Sequence, residues 1–211
     1  MTDAMRMTRR AVVAGGLLLP ATAWAAGNDP VVTAPSGRYR GLSEAGLQVF
    51  RGIRYGQSNV ARRFQAPLPP APAREEIAAR QFAGSCPQGG GRDVKQDEDC
   101  LFLNIWTPGA HGGARRPVAL YIHGGAYSGG TVIEPRVYGD RLAAQGDMVV
   151  VTVNHRLNAL GYLYLARLDP RFADSGNAGQ LDLILALEWV RDNIAAFGGD
   201  PGRVTVFGQS G

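Results

Sequence analysis

Apolar residues along this chain fall into short, dense runs separated by glycine- and proline-rich stretches. Leu47 to Ile53 and Leu101 to Thr107 read as strands of an antiparallel lead-in. Val118 to His123 and Met148 to Asn154 are almost continuously apolar, the pattern of strands covered on both faces. Between them, Tyr138 to Gln145 fits a short helix. Gly179 to Ala196 carries the helical period: Leu183, Leu187, Val190 and Ile194 fall on one stripe, while Asp182, Arg191 and Asp192 point elsewhere. Gly198-Gly199 ends that helix, Pro201 blocks its continuation, and Val204 to Phe207 reads as a further buried strand. Strand, helix, strand in this order predicts a parallel α/β sheet. Gln65 to Ala73 is the one segment of linker-like composition. Its shortness and strand-like flanks favour a surface loop within a single domain, and no internal repeat interrupts the chain.

Composition narrows the picture. A chain of 211 residues, 45% of them hydrophobic, can bury one sizeable core. The net charge is +4, but Arg6, Arg9, Arg10 and Asp3 contribute +2 of it from the first 25 residues. That segment reads as an export signal: Thr8-Arg9-Arg10 precedes the apolar run Ala11 to Leu19, and Ala23-Trp24-Ala25 supplies a cleavage pattern. Paired arginines there suggest the twin-arginine route. Residues 1–25 are therefore expected to be removed, leaving a domain over 26–211 outside the cytoplasm, in the periplasm or secreted. The apolar run is too short to span a bilayer of about 30 Å, so no integral membrane segment is expected in the mature chain. A remaining charge near +2 with no basic stripe excludes nucleic acid as a partner.

Cys86 and Cys100 flank a glycine-rich polar segment. In an oxidising compartment they would form a disulfide stabilising by about 3 kcal/mol; otherwise they are two unpaired thiols. With no third cysteine or histidine nearby, they are not a metal site, and neither metal nor cofactor is expected.

The chemistry concentrates where the last strand stops. Gly208-Gln209-Ser210-Gly211 follows Val204-Thr-Val-Phe207 directly, giving four residues of a G-x-S-x-G nucleophile elbow. Glycines flank the serine because a strand turning sharply into a helix leaves no room for a Cβ, and the serine is held exposed on a strained turn. A second element, His123-Gly124-Gly125-Ala126, follows the strand ending at Ile122. Small residues there let backbone N–H groups converge on one oxygen, as an oxyanion hole requires. Alone it is a weak turn motif; beside an elbow it is the expected partner.

Several motifs in order carry a resemblance to the type-B carboxylesterases, the family that includes the cholinesterases, from about Val49 onward. They are Phe50-Arg-Gly-Ile-Arg-Tyr55, Glu98-Asp-Cys-Leu-Phe-Leu-Asn-Ile-Trp-Thr-Pro108, Asn154-His-Arg-Leu157, Gly176-Asn-Ala-Gly-Gln-Leu-Asp182 and Phe197-Gly-Gly-Asp-Pro-Gly-Arg-Val-Thr-Val-Phe-Gly-Gln-Ser-Gly211. The resemblance implies an α/β-hydrolase fold, present here as the N-terminal part of its sheet up to the elbow. It implies Ser210 as the nucleophile acylated by a small-molecule ester, and Gly125, Ala126 and Gly211 as oxyanion-hole donors. It further implies a Cys86–Cys100 disulfide and two structural ion pairs, Glu98 with Arg63 and Asp182 with Arg156. Without it, those four charges read as solvated surface groups.

Three departures stand out. Gln209 replaces the glutamate many members carry beside the nucleophile, and Ala126 replaces a third glycine. No aromatic residue lies between Cys86 and Cys100, where cholinesterases stack a tryptophan on the quaternary ammonium, so a choline ester is not expected. A serine hydrolase also needs a histidine base and a carboxylate, which in this fold follow the serine. His111, His123 and His155 all precede it and sit in loop or strand-end motifs, so none is expected to be the base. The chain as written is therefore expected to be a truncated, inactive portion of the hydrolase. The alternative is a non-catalytic binding or adhesion relative of the same fold; a related chemistry would cleave a thioester or carbamate.

Overall fold

A computed structural model describes residues 29–89, 94–110 and 113–211. The proposed export signal, residues 1–25, and His111 lie outside these residues. In chain order the strands are β1 (Val31–Ala34), β2 (Gly37–Arg40), β3 (Leu42–Glu44), β4 (Leu47–Arg54), β5 (Glu76–Ala78), β6 (Phe102–Thr107), β7 (Arg116–Ile122), β8 (Val149–Val153) and β9 (Gly199–Gly208). The helices are α1 (Asp140–Gly146), α2 (Asn158–Tyr162) and α3 (Ala178–Asn193).

Two sheets result, a small one ordered β1-β2-β5 and a larger one ordered β3-β4-β6-β8-β7-β9. In the larger sheet β3, β4, β6 and β8 run antiparallel in succession. β7 then lies parallel to both β8 and β9, matching the expected antiparallel lead-in and parallel α/β unit. The strand and helix expectations over residues 47–53, 101–107, 118–123, 138–145, 148–154 and 179–196 are met to within a few residues. Gln65 to Ala73 is an irregular loop.

β8 is buried along its whole length, as its unbroken apolar run requires. Phe50, Ile53, Leu103, Ile105, Val151 and Val153 form the centre of the core. Trp189 of α3 and Phe197 close it, with Phe197 edge-on to Phe50 at 5.0 Å between ring centroids. Each such side chain stabilises by about 1.5–3 kcal/mol on removal from water. After α3 a 3₁₀ turn over Ile194–Phe197 stops at Gly198, whose φ of 84° is the left-handed cap expected of a glycine there.

Two expectations are corrected. Asp182 does not point away from the core; it is fully buried against Arg156. β9 is longer than expected, and beyond Asp200 it is largely exposed. Among the described residues it pairs with β7 alone, at the sheet edge, so Val206 and Phe207 remain 47% and 38% exposed. Its early part carries Pro201 through a register shift against β7, where a missing N–H breaks no ladder bond.

Candidate active site

Parallel pairing of three strands brings three loops to one edge of the sheet. Ile122 of β7 lies opposite Val153 of β8 and Gly208 of β9, so His123, Asn154 and Gln209 begin their loops side by side. This is the carboxyl end of the parallel strands, where α/β sheets place their ligands.

Ser210 stands at the end of β9, exposed, with φ of 60°. A non-glycine residue in the left-handed region costs of order 1–3 kcal/mol and persists only where its surroundings hold it. Here those surroundings are glycines. A Cβ on Gly124 would lie 2.1 Å from the Gln209 carbonyl oxygen, and one on Gly208 would lie 2.7 Å from that of Ile122. Bare backbone on both sides lets the turn close.

The facing loop, residues 123–131, is similarly constrained. Gly125, Ala126 and Tyr127 have φ of 132°, 53° and 58° in succession. The Ser128 and Gly129 amides donate to the Gly125 carbonyl oxygen at 3.0 and 3.1 Å. The Asn158 amide donates to Tyr127 at 2.8 Å, and its side chain to the Ser128 carbonyl at 2.9 Å. The Ala126 amide donates to the backbone oxygen of Gly211, which joins the two loops directly. The structure thus brings together Ser210, Gly125, Ala126 and Gly211, the four residues singled out from sequence.

A cavity of about 350 Å³ opens beside Ser210, walled by Tyr127, Leu157, Leu183, Phe207 and the rings of His123 and His155. A second, of about 500 Å³, also borders Ser210 and is lined by Thr131, Arg136 and Gln209. The two histidines stack at 4.8 Å with their planes 15° apart. Their Nδ1 atoms face the carbonyl oxygens of Gly124 and Arg156. Burial, and secondarily the neighbouring His123, push the His155 pKa down to about 4. His155 is therefore neutral at physiological pH. Sequence reasoning did not foresee that the two rings stack, since 32 positions separate them.

Beneath the histidines, Arg156 and Asp182 form a buried ion pair with Nη2–Oδ1 at 2.7 Å. Its charges cancel, so the pair buries no net charge. Among the described residues no group of three or more His, Cys, Asp or Glu is arranged to hold a metal ion. The Cys86–Cys100 disulfide is formed. Arg63 and Glu98 also pair, both guanidinium contacts at 2.6 Å.

The model of the carboxylesterase family matches residues 28–211. The chain belongs to that family. It is 40% identical over 188 residues to a para-nitrobenzyl esterase of Bacillus subtilis, covering 85% of this chain and 38% of that protein. Among solved structures it resembles an esterase from Clostridium hathewayi that can hydrolyse aliphatic aromatic polyesters, with a TM-score of 0.81 and 48% identity over 87% of this chain and 38% of that one. A carboxylesterase of Geobacillus stearothermophilus gives a TM-score of 0.80 and 43% identity, covering 84% and 37%. The α/β-hydrolase fold follows from these neighbours, and this carboxylesterase-family chain spans less than two fifths of each relative's length.

Proposed function

We propose that this chain carries the nucleophile and oxyanion-binding part of a carboxylic-ester hydrolase working through an acyl-enzyme on Ser210. The observation that carries the reading is the left-handed Ser210, exposed at the strand end beside the glycine loop. Its Oγ attacks the ester carbonyl carbon while a base takes the hydroxyl proton. The carbonyl π pair moves to oxygen, and that oxyanion is met by the N–H groups of Gly125, Ala126 and Gly211, each donor worth about 10²–10³ in rate. Collapse expels the alcohol, which takes up the proton, and water then releases the acid from Ser210.

The stacked His123 and His155 turn their Nδ1 atoms to backbone carbonyls, and we assign the base to neither, in keeping with the order of this fold, in which the base follows the serine. The substrate class is a small-molecule ester. Export to an oxidising compartment accords with the Cys86–Cys100 disulfide. Among the described residues no helix is long and apolar enough to cross a membrane.

The test is the intact mass of the native protein after reaction with a fluorophosphonate, which traps an activated serine. One adduct, lost in Ser210→Ala together with p-nitrophenyl acetate turnover, is the expected result. Turnover that survives Ser210→Ala, or a native protein that takes up no label, sinks the acyl-enzyme reading.

A further inference from the structure

The strained loop that carries Gly125 and Ala126 is gripped from outside by one side chain. Gln88 Nε2 donates to the Gly130 carbonyl oxygen at 2.8 Å, and the Gly130 amide donates back to Gln88 Oε1 at 2.8 Å. A single carboxamide thus imitates a neighbouring β-strand, satisfying both backbone groups of one loop residue. Gly130 needs such a hold, because its φ of 114° belongs to glycine alone and a Cβ there would strike His123 and Gly124. Gln88 is itself fixed: Nε2 also reaches the Cys86 carbonyl at 3.1 Å, and its backbone N–H donates to Gln96 Oε1 at 2.8 Å. On either side of it, Ser85 Oγ hydrogen-bonds Thr131 Oγ1, and Asn158 Nδ2 reaches the Pro87 carbonyl at 3.3 Å. The segment 85–88, anchored by the Cys86–Cys100 bond, therefore backs the loop at several points, and among the described residues of that segment Gln88 alone holds its backbone from both sides.

We propose that Gln88 is a positioning residue for the ester hydrolysis described above: through Gly130 it holds the loop in the conformation that aims the Gly125 and Ala126 amides. It touches neither of those amides nor Ser210, so its effect on the reaction passes through the loop. The inference rests on the reading that these amides bind the oxyanion. The chemical requirement is narrow, since one group must donate and accept at once. A glutamate at neutral pH only accepts, and a methionine of similar length donates nothing and accepts only weakly.

The experiment uses the full-length native protein with Gln88→Met and Gln88→Glu. Hydrogen exchange over residues 124–131 is measured beside p-nitrophenyl acetate kinetics. In Gln88→Met, exchange in that loop accelerates while the core strands stay protected. There kcat falls about 10- to 100-fold with KM within about twofold, because misplaced donors matter in the transition state and not in ground-state binding. Gln88→Glu behaves alike at pH 7 but recovers toward wild type as pH falls toward the glutamate pKa, about 4.3 or above. Protonated, its carboxyl regains a donor beside its acceptor, which a purely structural role would not mirror in the rate. Unchanged loop exchange with kcat within twofold of wild type overturns the proposal, as does loosening spread over the whole domain. Accelerated loop exchange in a protein whose Ser210 takes up no fluorophosphonate overturns the ester-hydrolase reading, and Gln88's role with it, while leaving the grip on Gly130 intact.

Discussion

Arg156–Asp182 and Arg63–Glu98 are built alike, each a guanidinium forked onto a carboxylate with contacts of 2.6 to 3.2 Å. Their surroundings are opposite. The side chains of Arg156 and Asp182 are 2% and 0% exposed, those of Arg63 and Glu98 58% and 16%. Inside, every remaining polar atom has to be satisfied. The Arg156 amide donates to Asp182 at 2.9 Å, and the spare guanidinium N–H groups reach the carbonyls of Gln65 and Ala178. The buried pair thereby ties the loop after β8 to the start of α3 and to the proline-rich loop. At the surface water does most of this, and the same fork adds little. Geometry makes an ion pair visible; burial decides whether the fold depends on it.

The sharpest way to break the comparison is to remove one inner partner. Asp182→Asn keeps the shape but leaves the Arg156 charge buried and uncompensated, a loss of about 3–5 kcal/mol. Urea unfolding of the variant measures it, and a loss below about 1 kcal/mol would mean that water reaches the pair. Replacing both partners with apolar residues, Arg156→Met with Asp182→Leu, recovers part of the stability: the unpaired charge is gone, but the backbone amide of residue 156 and the Gln65 and Ala178 carbonyls lose their partners.

His155, next to Arg156, extends the contrast to pH. Unfolded, it takes up a proton near pH 6.5; folded, only near about 4, because burial and His123 oppose the charge. Between those values the unfolded chain binds more protons, so stability is lost as pH falls from 6.5 toward 4. The gap corresponds to roughly 3 kcal/mol. Chemical denaturation at pH 7 and pH 4.5, with His155→Phe alongside, isolates the contribution: the variant should lack this part of the acid loss. Equal pH dependence in both proteins would show that the ring is not held neutral.

The same contrast explains what could be read from the sequence. Ser210 and its flanking glycines were legible because an elbow is local: a strand, a tight turn and small residues all fall within a few positions. The long strands were legible because burial on both faces writes an unbroken apolar run. Asp182 was misplaced by periodicity, which counts a carboxylate as outward-facing and cannot see an arginine 26 residues away. Only the family resemblance supplied that partner. β1, β2, β3 and β5 are three or four residues each, too short to carry a period. The Gln88 grip spans 42 positions and consists of one polar side chain, so no pattern announces it.

The smallest effect is expected at the outer pair, and it sharpens the comparison from below. Glu98→Gln removes a charge but keeps an amide oxygen that can still accept from Arg63, and water reaches the guanidinium freely. Such a change should lower Tm by less than about 3 °C at low salt. At 1 M salt, where the screening length is about 3 Å, even that difference should shrink toward zero. Calorimetry of wild type and variant at both ionic strengths reads it. A salt-insensitive drop as large as that of Asp182→Asn would mean that Glu98 acts through its neighbours, for example the Asn59 side chain that reaches its carbonyl, and not through the charge. The two pairs would then differ in position alone, and burial would no longer be the variable that separates them.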